Sequence, residues 1–175
     1  QVVRCDAFDR HRTDVYGAPG VPYATNLELF NGPAGVAVAD DGSLAMVETD
    51  GQRVVVRPGD GSALWAYGQP GVAGAGENQL SDPTDVLRLA DGRWVVADSG
   101  NGRLVVLEGS GKRAATWGAG TLQRPTGLAL LGGGRLAVAD RVAGRVFILD
   151  GATGTIAGPL SDVSGQPIAF AEPAD

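Results

Sequence analysis

Histidine and cysteine occur once each in the 175 residues, as His11 and Cys5, and methionine also occurs once. One histidine excludes a His-rich zinc site or a His–His acid–base pair built by this chain alone. A Ser-His-Asp triad would have to run through His11, which sits in an expected turn. One cysteine leaves Cys5 with no intrachain disulfide partner, so a buried structural thiol is its expected role and the redox compartment stays open. No apolar run approaches the roughly 18 residues of a membrane-spanning helix, and no membrane insertion is expected. Cations are scarce as well. Fourteen Lys and Arg against 20 Asp and Glu leave a net charge of −6, which opposes the clustered positive charge that a phosphate backbone demands. No nucleic-acid partner is expected.

Glycine is what the chain has in plenty, with 28 glycines, 10 prolines and 43% hydrophobic residues. That mixture excludes a disordered tail and favours short strands joined by many turns. Self-comparison then shows a repeat. Pro33-Ala-Gly-Val-Ala-Val-Ala-Asp-Asp-Gly42 matches Pro83-Thr-Asp-Val-Leu-Arg-Leu-Ala-Asp-Gly92 and Pro125-Thr-Gly-Leu-Ala-Leu-Leu-Gly-Gly-Gly134, and a further start lies at Pro167. A period of about 40 to 50 residues is the signature of a stacked repeat architecture.

Each complete unit continues with a second apolar run, Leu44–Val47, Trp94–Ala97 or Leu136–Ala139, closed by Glu48, Asp98 or Asp140. Five residues on, Arg53, Arg103 or Arg145 opens a third run, which ends in a glycine-containing turn. A weaker fourth run reaches Tyr67 in one unit and Trp117 in the next. Short β-branched runs separated by Asp-Gly and Gly-Gly are the pattern of antiparallel hairpins. The fold class expected is all-β: a β-propeller of four-stranded antiparallel blades, with a four-stranded solenoid as the rival. Propeller blades pack on both faces, which explains inner strands that read as continuous apolar runs.

The Pro-x-Gly-hydrophobic-Ala-hydrophobic, Asp-Gly, Val-Ala-Asp and Arg-Val-hydrophobic succession resembles the NHL-repeat propeller family, over nearly the whole chain and three times in phase. The resemblance implies blades at 30–68, 80–118 and 122–158. Residues 1–17 read as strands three and four of a split blade, and 167–175 as its first strand. The expectations for this open blade are, in order, a piece of a longer propeller, self-closure of a four-bladed ring, and a strand supplied by another subunit.

Two departures from the repeat stand out: Asp85 where the sister units have Gly35 and Gly127, and Arg88 where they have Val38 and Leu130. Both fall on an expected innermost strand, where a polar side chain needs solvent, a partner or a ligand to satisfy it. With Tyr23, in the long loop Gly17–Gly32, they are the binding candidates. The pairs Glu48 with Arg53, Asp98 with Arg103 and Asp140 with Arg145 are expected to be structural, each fixing a hairpin turn by an Arg fork on a carboxylate. The stretch Gly71–Gly76 lacks the Lys-Ser/Thr and strand-to-helix context of a phosphate loop and reads as an inter-blade connection. No catalytic residue, metal site or cofactor is expected. The functional expectation is a non-catalytic module that binds a protein partner or self-associates through the loop face or open blade edge. The alternative is a lactonase- or lyase-type enzyme using Asp85 and Arg88, with a divalent cation as an optional ligand. An extracytoplasmic or secreted location is slightly favoured.

Overall fold

The computed structural model describes residues 2–5, 12–16, 30–60, 62–162 and 164–168. Strands β1 (Val2–Cys5) and β2 (Arg12–Tyr16) form a two-stranded antiparallel pair. Three four-stranded antiparallel sheets follow in chain order. The first contains β3 (Pro33–Val38), β4 (Leu44–Glu48), β5 (Arg53–Arg57) and β6 (Trp65–Tyr67). The second contains β7 (Pro83–Arg88), β8 (Trp94–Asp98), β9 (Arg103–Leu107) and β10 (Arg113–Trp117). The third contains β11 (Pro125–Leu131), β12 (Arg135–Asp140), β13 (Arg145–Asp150) and β14 (Ile156–Pro159). Each sheet is a simple meander and is one propeller blade. Of the expected final strand, Pro167 makes an isolated bridge with Ser161, and residues 169–175 lie outside those described.

The Pro-x-Gly start of each repeat has a structural cause. Pro33, Pro83 and Pro125 oppose Glu48, Asp98 and Asp140, and each pairing then shifts register before Gly35, Asp85 or Gly127. One extra residue therefore sits in every first strand, at Ala34, Thr84 and Thr126. Proline, lacking an N–H, suits the first position of a strand, and the bulge bends the strand where it enters the blade.

Alternation across the middle blade shows how the core is built. Trp94, Val96, Val105 and Leu107 join Ala45, Val47, Val54, Val56, Val86 and Tyr67 in the cluster between the first two blades. Val95, Ala97, Leu104 and Val106 join Leu136, Val138, Phe147 and Leu149 in the cluster between the second and third. Strands β8 and β9 are consequently buried at every position, which is why they read as unbroken apolar runs. Strands β12 and β13 show the contrast. Leu136, Val138, Phe147 and Leu149 are buried, while Ala137, Val146 and Ile148 on the other face are partly exposed and belong to no buried cluster among the described residues.

Candidate functional site

At the head of each blade a carboxylate fastens the incoming chain. Glu48, Asp98 and Asp140 accept the backbone N–H of Asn31 (2.7 Å), Ser81 (2.7 Å) and Gln123 (2.6 Å), each two residues before the blade's proline. Arg53 Nε donates to buried Glu48 at 2.8 Å, and Arg103 Nε to buried Asp98 at 2.7 Å. Arg103 also donates to the carbonyls of Ala75 (3.0 Å) and Gln79 (3.1 Å), so it holds the glycine-rich inter-blade loop. In the third blade Asp140 takes the N–H groups of Arg124 and Ala143 besides that of Gln123. Arg145 is its register partner across the hairpin, but its side chain is exposed and donates no hydrogen bond to that carboxylate.

Asp85 and Arg88 share β7 and turn to different blades. Asp85 Oδ1 accepts from Val86 N and Oδ2 from Leu128 N, both at 2.8 Å, so this carboxylate ties β7 to β11. Arg88 Nη1 reaches Asp41 Oδ2, in the turn after β3, at 2.5 Å. Its guanidinium lies over the Trp94 ring, 5.1 Å from the centroid, and its Nε donates to Gly92 O at 3.2 Å. The Asp41 carboxyl is held below the usual carboxylate range, first by the backbone N–H and then the hydroxyl of Ser43, with Arg88 adding to both. Tyr23 lies outside the described residues, as does His11.

The Arg88–Asp41 pair borders two cavities. One, of about 530 Å³, opens where the innermost strands approach one another; Val38 of β3, Leu87 of β7 and Leu130 of β11 line it together with Asp40. The other, of about 460 Å³, lies between the first two blades, against Ser43, Asp60, Trp65, Trp94, Gly109 and Ser110. The first cavity carries exposed apolar side chains, with Val38 72% and Leu130 54% accessible. The second is lined by both polar side chains and the indoles of Trp65 and Trp94. No group of three or more His, Cys, Asp or Glu is placed to hold a metal ion among the described residues.

A family model described as outer membrane protein assembly factor BamB matches residues 20–157. The chain belongs to that family. This places it among propeller proteins, without singling out the NHL repeat. No curated protein matches the chain. Among solved structures, it is similar to a streptogramin B lyase, with TM-score 0.58 and 18% identity over 73% of this chain and 40% of that one. A catalytically inactive virginiamycin B lyase from Staphylococcus aureus with quinupristin gives TM-score 0.63 and 13% identity, covering 96% of this chain and 52% of that one. A nidogen/laminin complex gives TM-score 0.58 and 17% identity, covering 81% and 51%. The chain thus spans about half the length of these structures or less, and the likeness is one of fold.

Of the residues around the two cavities, the repeat comparison singles out Arg88 alone. Asp41, Ser43 and Trp65 sit at turn and outer-strand positions that look like ordinary repeat furniture in one dimension. The available signal is a difference between sister repeats: Ser43 stands where the second unit has Arg93.

Proposed function

We propose that this chain is a non-catalytic protein-binding or assembly module, meeting a protein partner or a second copy of itself through its loop face or an open blade edge. The observation that carries this reading is the apolar opening between the innermost strands, where exposed Val38 of β3 and Leu130 of β11 line one cavity. Exposed apolar side chains gathered at one opening with a polar border are characteristic of interaction sites. The charged Arg88–Asp41 pair supplies such a border. Membership of a family described as an assembly factor supports the same reading. The NHL-like succession of motifs adds the resemblance to a second group of propellers. The module needs no cofactor in this reading, and an extracytoplasmic site of action is consistent with it.

Lyases are among the similar structures, but nothing among the described residues favours a lyase- or lactonase-type site. Asp85 is bonded to two backbone N–H groups and Arg88 to Asp41 on another blade, so the two do not converge on a common cavity.

Sedimentation velocity over a wide concentration range, with affinity capture from the native source, tests the proposal. Self-association or a captured partner, lost in a folded Val38→Asp/Leu130→Asp variant, is the expected result. A chain that stays monomeric and captures nothing, or a variant that associates as well as the parent, removes it.

A further inference from the structure

The cavity between the first two blades has a filled counterpart elsewhere in the same chain. Between the second and third blades, the place is taken by Arg93. Its guanidinium lies over the Trp117 ring, 5.4 Å from the centroid. Nη2 meets the Asp91 carboxylate at 2.6 Å and donates to the carbonyls of Gly151 (3.2 Å) and Ala152 (3.0 Å). Trp117 in turn stands against the turn glycine Gly154, where a Cβ would strike the indole.

The acidic turn residue, the turn carbonyls and an indole recur at the junction of the first two blades. Asp41 holds the repeat position of Asp91, fifty residues earlier, and Gly109 and Ser110 hold those of Gly151 and Ala152, forty-two earlier. Trp65 stands against turn glycine Gly111 as Trp117 stands against Gly154, although by strand register Tyr67, opposite Val54, holds the position of Trp117, opposite Leu104, and Trp65 lies two residues before it. The position of Arg93 itself is occupied by Ser43, whose hydroxyl accepts the N–H of Gly59 at 3.0 Å. Replacing an arginine by a serine at this point leaves the cavity of about 460 Å³ that these residues line.

We propose that this cavity binds a guanidinium group supplied by another molecule, in the place that Arg93 occupies one junction further on. Charge favours a cation, since Asp41 and Asp60 against Arg88 leave one net negative charge on the lining. Arg88 takes Asp41 Oδ2 at 2.5 Å, so an incoming guanidinium shares that carboxylate or turns to Asp60; Arg88 does not cover the indole of Trp65, because it stacks on Trp94. A planar guanidinium suits the site better than a compact ammonium: it can lie on an indole face while directing N–H groups at neighbouring carbonyls and a carboxylate. An anion would meet the carboxylates. The group has two possible sources, an arginine side chain of a partner protein or a free small guanidine. The inference deepens the binding-module reading, and rests on it for the first of these sources.

The test is a titration of the full chain with N-acetyl-arginine amide, its uncharged isostere N-acetyl-citrulline amide, and the peptide Gly-Gly-Arg-Gly-Gly, followed by calorimetry and by the indole N–H resonance of Trp65. Saturable binding of the arginine amide, about tenfold or more tighter than that of the citrulline amide, is expected. Ser43→Arg should abolish it by placing the chain's own guanidinium in the cavity, and Trp65→Leu should weaken it about fivefold or more, both variants melting cooperatively. Tighter binding of the peptide than of the amide identifies an arginine within a protein as the ligand; equal binding identifies a free guanidine. Absence of saturable binding by both arginine probes, equal binding of the citrulline amide, or undiminished binding by Ser43→Arg overturns the proposal. A failed titration beside successful partner capture discards the cavity and leaves the module reading standing. A successful titration without self-association or capture does the reverse.

Discussion

The carboxylate of Asp85, on the innermost strand of the middle blade, accepts the backbone N–H of Leu128 on the innermost strand of the next blade at 2.8 Å. The sister repeats have glycine at this position, so the contact between β7 and β11 is one that only the second unit makes through a side chain. Asp85→Ala leaves two partly buried backbone donors, Val86 N and Leu128 N, without this acceptor. Urea denaturation is expected to show a loss of about 1–3 kcal/mol. Arg88→Met keeps the aliphatic stem and breaks a pair whose aspartate is half exposed, so its loss should stay within about 1 kcal/mol. Equal losses in the two variants would contradict the distinction.

Close approach of the first two blades depends on Gly35. A Cβ there would lie 2.8 Å from the Thr84 carbonyl oxygen and 2.9 Å from Asp85 Cα, both backbone atoms that cannot swing away. Gly35→Ala should therefore destabilise by about 1–3 kcal/mol. At Gly127 the nearest atom to an added Cβ is Ala139 Cβ at 3.6 Å, an ordinary contact. Gly127→Ala should be neutral or stabilising by about 0.5 kcal/mol, since alanine loses less backbone entropy on folding. Melting temperatures of the two variants measured side by side decide the matter.

The acid–Arg repeats are chemically alike and energetically unlike. Arg53→Met removes the guanidinium from Glu48, which is fully buried, and should cost about 3–5 kcal/mol, because it strands a buried charge. Arg145→Met alters an exposed side chain and should shift stability by no more than about 0.5 kcal/mol. Chemical denaturation of both variants, with circular dichroism as the check on folding, supplies the comparison.

Turn aspartates set the acid limb of stability. The carboxyls of Asp41, Asp60, Asp91, Asp150 and Asp162 all lie below the ordinary value of 3.8, through hydrogen bonds from nearby N–H, hydroxyl or guanidinium groups. A carboxyl that titrates lower folded than unfolded adds stability above its unfolded value, and that stability disappears as the pH falls through the folded value. The melting temperature should thus begin to fall as the pH drops below about 4, and Asp150→Asn should flatten part of that slope. Tyr67 shifts the other way. Burial raises its phenol above 10.0, while its hydroxyl donates to the Glu77 carbonyl. Its contribution is complete below 10.0 and lost as the pH rises through the folded value, so Tyr67→Phe should remove part of the alkaline decline in calorimetric scans.

Strand positions in the three blades were legible because they depend on neighbours in sequence. Runs such as Trp94–Ala97 and Arg103–Leu107, closed by Asp98 and Gly109, define a hairpin through local hydrogen bonding and turn chemistry. The pairing of Glu48 with Arg53 and of Asp98 with Arg103 followed from the same short range. Arg145 has the same spacing and a different outcome, since its exposure depends on what lies beside the third blade and not on the hairpin itself. The part played by Arg103 in holding Ala75 and Gln79 was likewise illegible, because those carbonyls belong to an inter-blade loop 24 to 28 residues away.

By itself, then, the sequence determined the repeat, its phase and the short apolar strands of each blade, all of which arise from contacts among adjacent residues and paired strands. Only the tertiary structure decided that Asp85 is turned to Leu128, that Arg88 closes on Asp41, and that Ser43 and Trp65 border a cavity where Arg93 and Trp117 are packed together. Those contacts join residues on different blades or opposite edges of one blade. Blade stacking and the reach of individual side chains set them, and neither is written in the local pattern.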